Sequence, residues 1–377
     1  MKIVGLITEY NPFHAGHLYH MQQARELTGA DYCVVLMSGS FVQRGEPAIF
    51  DKYRRTKAAL LAGADLVLEM PVAFSTASAH EFAAYGVALL SAIGVDAVVF
   101  GSECGQIEIL KQAAYALNHE SAEFQERLRK GLKAGLTYPQ ARAKALEMED
   151  TWASVLTSPN NILGIEYLRA AEDLHSPMEF YTISREGSGY HEDTLADANF
   201  PSASAIRGIV RKSYENLSAD SPASLKQEPG SDSKSEILFN ILIPHLPAVT
   251  HPAYAGALPV FTDDFSELLN MAVLQMQKSS AKGSIAATNV VMPSSTLSVD
   301  TNTQAISRIA DLSPELAARL AKPPYFPLSF EERIQALKTR QLTYTRVSRA
   351  LLHLVLGMRE EDISRWKEEG YALYARI

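Results

Sequence analysis

The chain has 377 residues, 47% of them hydrophobic and 21% charged, with a formal net charge of −8. That is the balance of an ordinary globular protein with room for two or three domains, and it excludes one that coats nucleic acid with its whole surface, though not a local basic patch. Two cysteines, Cys33 and Cys104, with no CxxC or Cys/His spacing around them, suit a reducing compartment and give no structural zinc signal.

The opening run MKIVGLITEY is apolar only as far as Thr8, too short for the core of a signal peptide, and reads as a buried strand. No apolar run reaches the length of a membrane span, so a cytoplasmic protein with no membrane partner is expected. HAGHLYHMQQARELTG has helical spacing and stops at Gly29. DYCVVLMSG is a second strand, DKYRRTKAALLAGA a helix, DLVLEMP a third strand, AHEFAAYGVALLSAIG a helix and DAVVFGS a fourth strand. Continuous apolar strands alternating with amphipathic helices predict an α/β fold, a Rossmann-like parallel sheet with helices on both faces. In such sheets ligands bind at the carboxyl ends of the strands.

From Ile107 to Glu149 the pattern is helical and polar, SPNNILGIEYLRAAEDL continues as a helix, and MEFYTISREG reads as a fifth strand. SASAIRGIVRKS starts another helix with serines available to cap it. These readings place a catalytic domain over residues 1–212, followed by a Ser/Pro-rich polar linker over 213–235. Residues 236–377 then form a mostly helical C-terminal domain, interrupted near 277–303 by a small, polar, aperiodic insert.

Several stretches can carry chemistry. His14-Ala15-Gly16-His17 fits the H-x-G-H pattern of nucleotidylyltransferases and class I aminoacyl-tRNA synthetases, and it lies directly after the first strand at a helix start. Gly16 lets a backbone approach a nucleobase or ribose, the helix N-terminus offers N–H groups to phosphates, and the imidazoles can donate to charge growing on an α-phosphate. A bland alternative is a surface helix with incidental histidines. Arg44 and Lys52, in GSFVQRGEPAIFDKYRR, are pocket candidates at the sheet's ligand edge, or parts of a solvated loop and a helix capped by Asp51. Gly101 ends the fourth strand, where a ligand could approach closely. Asn160 or Asn161 can cap a helix or meet a ligand, and Arg185 follows the fifth strand. Ser204 and Arg207 lie in a Ser-rich turn opening a helix, suited to β- and γ-phosphates. Finally, Lys338, Arg340, Arg346 and Arg349 with Tyr344 make a basic strip with an aromatic inside it, fit for phosphate contact and base stacking.

Taken together, TEYNPFHAGHLYH, SGSFVQRGEPAIFDK, NNILGIEYL, ISREGSGYH, SASAIR and LTYTRVSRALLHLVL resemble the bacterial tRNA(Met) cytidine acetate ligase family. The resemblance fails only in the linker and the insert. It implies a ligase that forms acetyl-adenylate from acetate and ATP, then acetylates N4 of the wobble cytidine of elongator tRNA(Met). It implies ATP contacts on Ile7, Thr8, Glu9, Tyr10, Asn11, Pro12, Phe13, His14, Ala15, Gly16, His17, Leu18, Tyr19 and His20, and on Gly101, Asn161 and Arg185. His14 and His17 are the expected catalytic pair, Mg2+ the expected counter-ion of pyrophosphate without a nameable protein ligand, and the C-terminal strip the expected seat of the anticodon stem-loop. A nucleotidylyltransferase that adenylylates a phosphorylated metabolite would share H-x-G-H, but it would not need the basic helical C-terminal third.

Overall fold

Five short apolar runs make the central sheet of the computed structural model, which describes residues 1–146, 155–184, 201–219, 233–275, 309–322 and 327–370. Strand β1 (Ile3–Thr8) is followed by α1 (Ala15–Thr28), and β2 (Tyr32–Ser38) by α2 (Lys52–Leu61). Next come β3 (Leu66–Met70), α3 (Ala79–Ala92) and β4 (Ala97–Ser102). Helices α4 (Ile107–Asn118), α5 (Ala122–Lys133), α6 (Tyr138–Ala145) and α7 (Pro159–Asp173) precede β5 (Glu179–Ser184), and α8 (Ala203–Ala219) follows it. All pairings are parallel and the strand order is β3-β2-β1-β4-β5. The order reverses between β1 and β4, so their carboxyl ends flank the switch point where such sheets bind ligands.

Two glycines set how closely helices approach this sheet. A Cβ on Gly86 of α3 would lie 2.7 Å from the Ile7 side chain of β1, and one on Gly164 of α7 would run into the Phe100 ring of β4. Side chains of ordinary size at either place would lift the helix off the strand. Helix α1 ends where expected, with Gly29 in the left-handed region at φ 63°.

Contacts divide the chain differently from the expected division at 212 and 236. Among the described residues, one unit joins Met1–Ser40 to Ala48–Val260, and the other joins Phe41–Pro47 to the residues from Phe261 on. The expected linker is partly helix. Helix α8 continues to Ala219, because Val210, Tyr214 and Leu217 keep helical spacing beneath a Ser- and Glu-rich surface. Helix α9 (Lys234–Leu242) starts on a Ser233–Glu236 capping box. Residues 220–232 lie outside the described residues, as does the insert at 277–303. The segment after α9 belongs to the first unit because Arg54 of α2 donates to the carbonyls of Ala253, Ala255 and Gly256, and because Tyr254 is fully buried there.

The second unit is helical around its own core. Helices α10 (Pro314–Leu320), α11 (Phe330–Leu337) and α12 (Tyr344–Leu356) bury Leu316, Phe330, Ile334, Val347 and Leu351, and α13 (Glu360–Glu368) follows. The hairpin Phe41–Pro47 packs into this unit. Its Gly45, at φ 78°, sits so tightly on α12 that a Cβ would run into the Arg349 backbone nitrogen. The Ser348 hydroxyl donates to the Gly45 carbonyl at 2.8 Å.

Candidate active site

His14 ends the loop after β1 and is the N-cap of α1. Its Nδ1 accepts the Gly16 N–H at 3.0 Å, and the His17 Nδ1 faces the His14 N–H at 3.3 Å. A neutral ring that accepts at Nδ1 carries its proton on Nε2, so both imidazoles are set as Nε2–H donors. The two rings lie 3.9 Å apart at a tilt of 35°. Tyr10 and Phe13, fully buried, pack around His17 with centroids 4.9 and 5.7 Å away. A Cβ on Gly16 would lie 2.9 Å from the His14 ring, so the glycine of H-x-G-H makes room for the first histidine as well as for any ligand.

The loop itself, Glu9–Phe13, contains a cis Asn11–Pro12 peptide and Tyr10 at φ 48°. Remote groups fasten it at several points. Arg55 donates to the Glu9 carbonyl at 2.7 Å, the Ile49 N–H to Asn11 Oδ1 at 2.7 Å, Arg207 to the Asn11 carbonyl at 2.8 Å, and the Phe13 N–H to the Tyr254 hydroxyl at 3.1 Å. Arg207 also donates to Ser204 Oγ at 3.1 Å, so the Ser-Ala-Ile-Arg turn lies beside the H-x-G-H loop.

The other side of the switch point is equally tied down. Gly101 pairs with Ile183 near the end of β4, and the residues after it form a reciprocal lock with α7. Asn161, 2% exposed, accepts the N–H groups of Glu103 and Cys104 on Oδ1 at 2.9 and 3.1 Å. The Glu103 carboxylate accepts in return the N–H groups of Asn160 and Asn161 and the Asn160 side-chain amide. His20 bridges the two sides, with Nε2 3.0 Å from the Val99 carbonyl of β4. Ile7 lies under Gly86, Thr8 and Pro12 are buried, and Ala15, Leu18 and Tyr19 are half-buried on the first turns of α1.

Lys52 forms a two-pronged ion pair with Glu69 at the end of β3, at 2.8 and 2.6 Å. A Cβ on neighbouring Gly39 would lie 2.5 Å from the same carboxylate. Arg44 lies in the turn of the Phe41–Pro47 hairpin, which belongs to the second unit. Arg185 lies outside the described residues.

Sequence reasoning missed Arg55. It is fully buried and donates to the carbonyls of Phe50, Glu9, Ser38 and Gly39, and burial pulls its pKa down to about 10. A second polar centre was also missed. Glu166 of α7 meets His80 of α3 at 3.1 Å, Arg142 of α6 at 3.1 Å and Arg169 at 2.7 Å. Burial by itself would raise its carboxyl. The His80 hydrogen bond and the two guanidinium charges outweigh that and hold it at about 2. Its partner effect raises His80, against the opposing pull of burial.

In the second unit two residues of the basic strip have partners within the fold. The Tyr344 hydroxyl donates to Glu331 at 2.5 Å, and Arg349 is largely buried against Asp311 at 2.9 Å. Tyr344 packs against the core of this unit, whereas Arg349, five positions further along α12, is turned to Asp311. Lys338, Arg340 and Arg346 are exposed. Among the described residues no group of three or more His, Cys, Asp or Glu is arranged to hold a metal ion, and no helix is long and apolar enough to cross a membrane.

The model of the HIGH Nucleotidyl Transferase family matches residues 1–377. The tRNA(Met) cytidine acetate ligase of Acetivibrio thermocellus is 35% identical over all of this chain and 82% of its own length. That of Caldicellulosiruptor saccharolyticus is 36% identical over 94% of this chain and 77% of its own. A crystal structure of Thermotoga maritima TmcAL bound with alpha-thio ATP superposes with a TM-score of 0.76 at 30% identity, covering 98% of this chain and 78% of that one. The apo form of the same protein gives a TM-score of 0.77.

Proposed function

The chain belongs to the HIGH nucleotidyl transferases and, among them, to the tRNA(Met) cytidine acetate ligases, and from that premise we propose that it activates acetate with ATP and acetylates the wobble cytidine of elongator tRNA(Met). One carboxylate oxygen of acetate attacks the α-phosphorus of ATP, and the Pα–O bond to pyrophosphate breaks. The cytidine N4 amine then attacks the acetyl carbonyl, AMP leaves, and N4 gives up a proton. Acetate is already ionised at neutral pH, so the first step needs no general base. Positioning and stabilisation of phosphate charge carry it. The second step needs the cytidine unstacked from its neighbours.

The observation that carries this reading is the His14–His17 pair, each ring turned by a backbone contact at Nδ1 into an Nε2–H donor, at the start of α1 beside the β1–β4 switch point. Two such donors suit the charge that grows on the α-phosphate. Arg207 and Ser204, beside the same loop, suit the β- and γ-phosphates. Gly101 suits close approach of adenosine. The Oδ1 of Asn161 is committed to the loop after β4, which leaves its amide group as the part that would meet ATP. The other loop and α1 residues from Ile7 to His20 act as walls and braces of the same site. With no ligand cluster among the described residues, Mg2+ would come as the ATP complex, held by phosphate oxygens, and would neutralise the leaving pyrophosphate. Exposed Lys338, Arg340 and Arg346 suit the backbone of the anticodon stem-loop, and the setting is the cytoplasm, where tRNA and ATP are at hand.

The direct test is incubation with ATP, labelled acetate and bulk tRNA, followed by nucleoside analysis. Label in N4-acetylcytidine is expected. Pyrophosphate exchange that ignores acetate and follows a phosphorylated metabolite would overturn the reading in favour of a small-molecule nucleotidylyltransferase.

A further inference from the structure

Two fully buried polar side chains lie behind the His14 loop and touch none of the groups assigned to ATP except through the backbone. Tyr254 and Arg55 are both at 0% exposure. The Tyr254 hydroxyl takes the N–H of Phe13, the residue before the His14 cap. Arg55 takes the carbonyl of Glu9, at the other end of the same loop. The two are linked to each other through Phe50, whose ring packs edge-on to Tyr254 at 5.3 Å and whose carbonyl accepts from Arg55 Nε at 3.0 Å. Arg55 further gathers the carbonyls of Ser38 and Gly39, just beyond β2. One frame thus grips the first and last residues of the Glu9–Phe13 loop and refers both to the end of the neighbouring strand.

Packing alone does not call for these groups. A phenylalanine at 254 would fill nearly the same space, and an arginine taken wholly out of water is costly to bury unless its donors are used. What the polar atoms add is direction: they fix where the backbone stands immediately before His14. We propose that Tyr254 and Arg55 are positioning residues of the adenylation step, setting the angle at which His14 and His17 present their Nε2–H groups. The proposal rests on the adenylation reading given above. It deepens that reading by assigning a catalytic consequence to residues that touch no substrate.

The test compares the wild-type chain with Tyr254→Phe, which removes one oxygen and keeps the ring. Acetate-dependent ATP–pyrophosphate exchange is followed, together with amide hydrogen exchange over residues 9–14 and thermal melting. The variant is expected to lose about tenfold in kcat, with KM for ATP changing by less than about twofold, and to lose amide protection in the loop. Arg55→Lys keeps the charge but cannot span four carbonyls, and a larger fall in kcat is expected; should it not fold, Tyr254→Phe decides alone. An unchanged kcat, or a lowered melting temperature with kcat retained, overturns the positioning role. Absence of acetate-dependent exchange in the wild-type chain overturns the adenylation reading instead, and unchanged loop protection in Tyr254→Phe then overturns the frame independently.

Discussion

At the scale of single residues, the H-x-G-H run works through an arrangement of backbone contacts. His14 caps α1 while His17 faces the His14 N–H, so each ring has one nitrogen fixed by the main chain and the other turned to act as a donor. Replacing His17 by Ala removes one donor and also the ring that stacks on His14 at 3.9 Å. The expected result is a loss of about 10²–10³-fold in acetate-dependent exchange, with tRNA affinity in a binding assay nearly intact. Unaltered exchange would remove His17 from the mechanism. This pair was legible because its residues are contiguous and follow a recognisable strand. Arg55 was not, because its four acceptors are backbone carbonyls from three separated segments, and only the folded sheet brings them together. The pocket candidate named from the sequence was its helical neighbour Lys52, which is tied to Glu69.

At the scale of elements, the first four parallel strands were readable from apolar runs, since each is largely buried, whereas their order was not, because it is set by pairings between distant segments. The hairpin Phe41–Pro47 was not, because two-residue strands carry no periodicity and Gln43 and Arg44 have the look of a pocket loop. Its tight seat gives a direct expectation. Gly45→Ala places a Cβ against the α12 backbone at a positive φ, and should destabilise the second unit by about 2–4 kcal/mol in denaturant unfolding. A change below about 0.5 kcal/mol would contradict the packing. Helix α12 also sorts the basic strip. Lys338, Arg340 and Arg346 changed together to Glu should weaken tRNA binding strongly and reduce its salt dependence, while ATP binding is spared. Intact tRNA affinity would move the interface elsewhere. Arg349 does not belong in that variant, since its loss would strand Asp311.

At the scale of the whole molecule, the Glu166 centre joins α3, α6 and α7 behind the sheet. Its folded carboxyl, at about 2, lies below the ordinary value of 4.5, so the stability it confers is present above that ordinary value. It is lost as pH falls from about 4.5 toward about 2, and amounts to about 3 kcal/mol at neutral pH. His80 works in the opposite sense: raised on folding, it stabilises below the ordinary histidine value and ceases to as pH climbs through its folded pKa. Chemical unfolding as a function of pH should show a steep acid limb that Glu166→Gln flattens. An identical acid limb in the variant would mean that the carboxylate does not govern acid stability. None of this was visible in the sequence, which sets Glu166, Arg142 and His80 on three helices far apart along the chain.

The seating of Gly45 on α12 also bears on how a ribosome makes this chain. The Ser348 hydroxyl that grips the Gly45 carbonyl is translated 303 positions later. At 5–20 residues per second, the hairpin waits about 15–60 s for its dock to be synthesised. During that interval its Phe41 and Val42 have no native cover from the second unit, so nascent chains stalled before α12 should be the ones that recruit a chaperone.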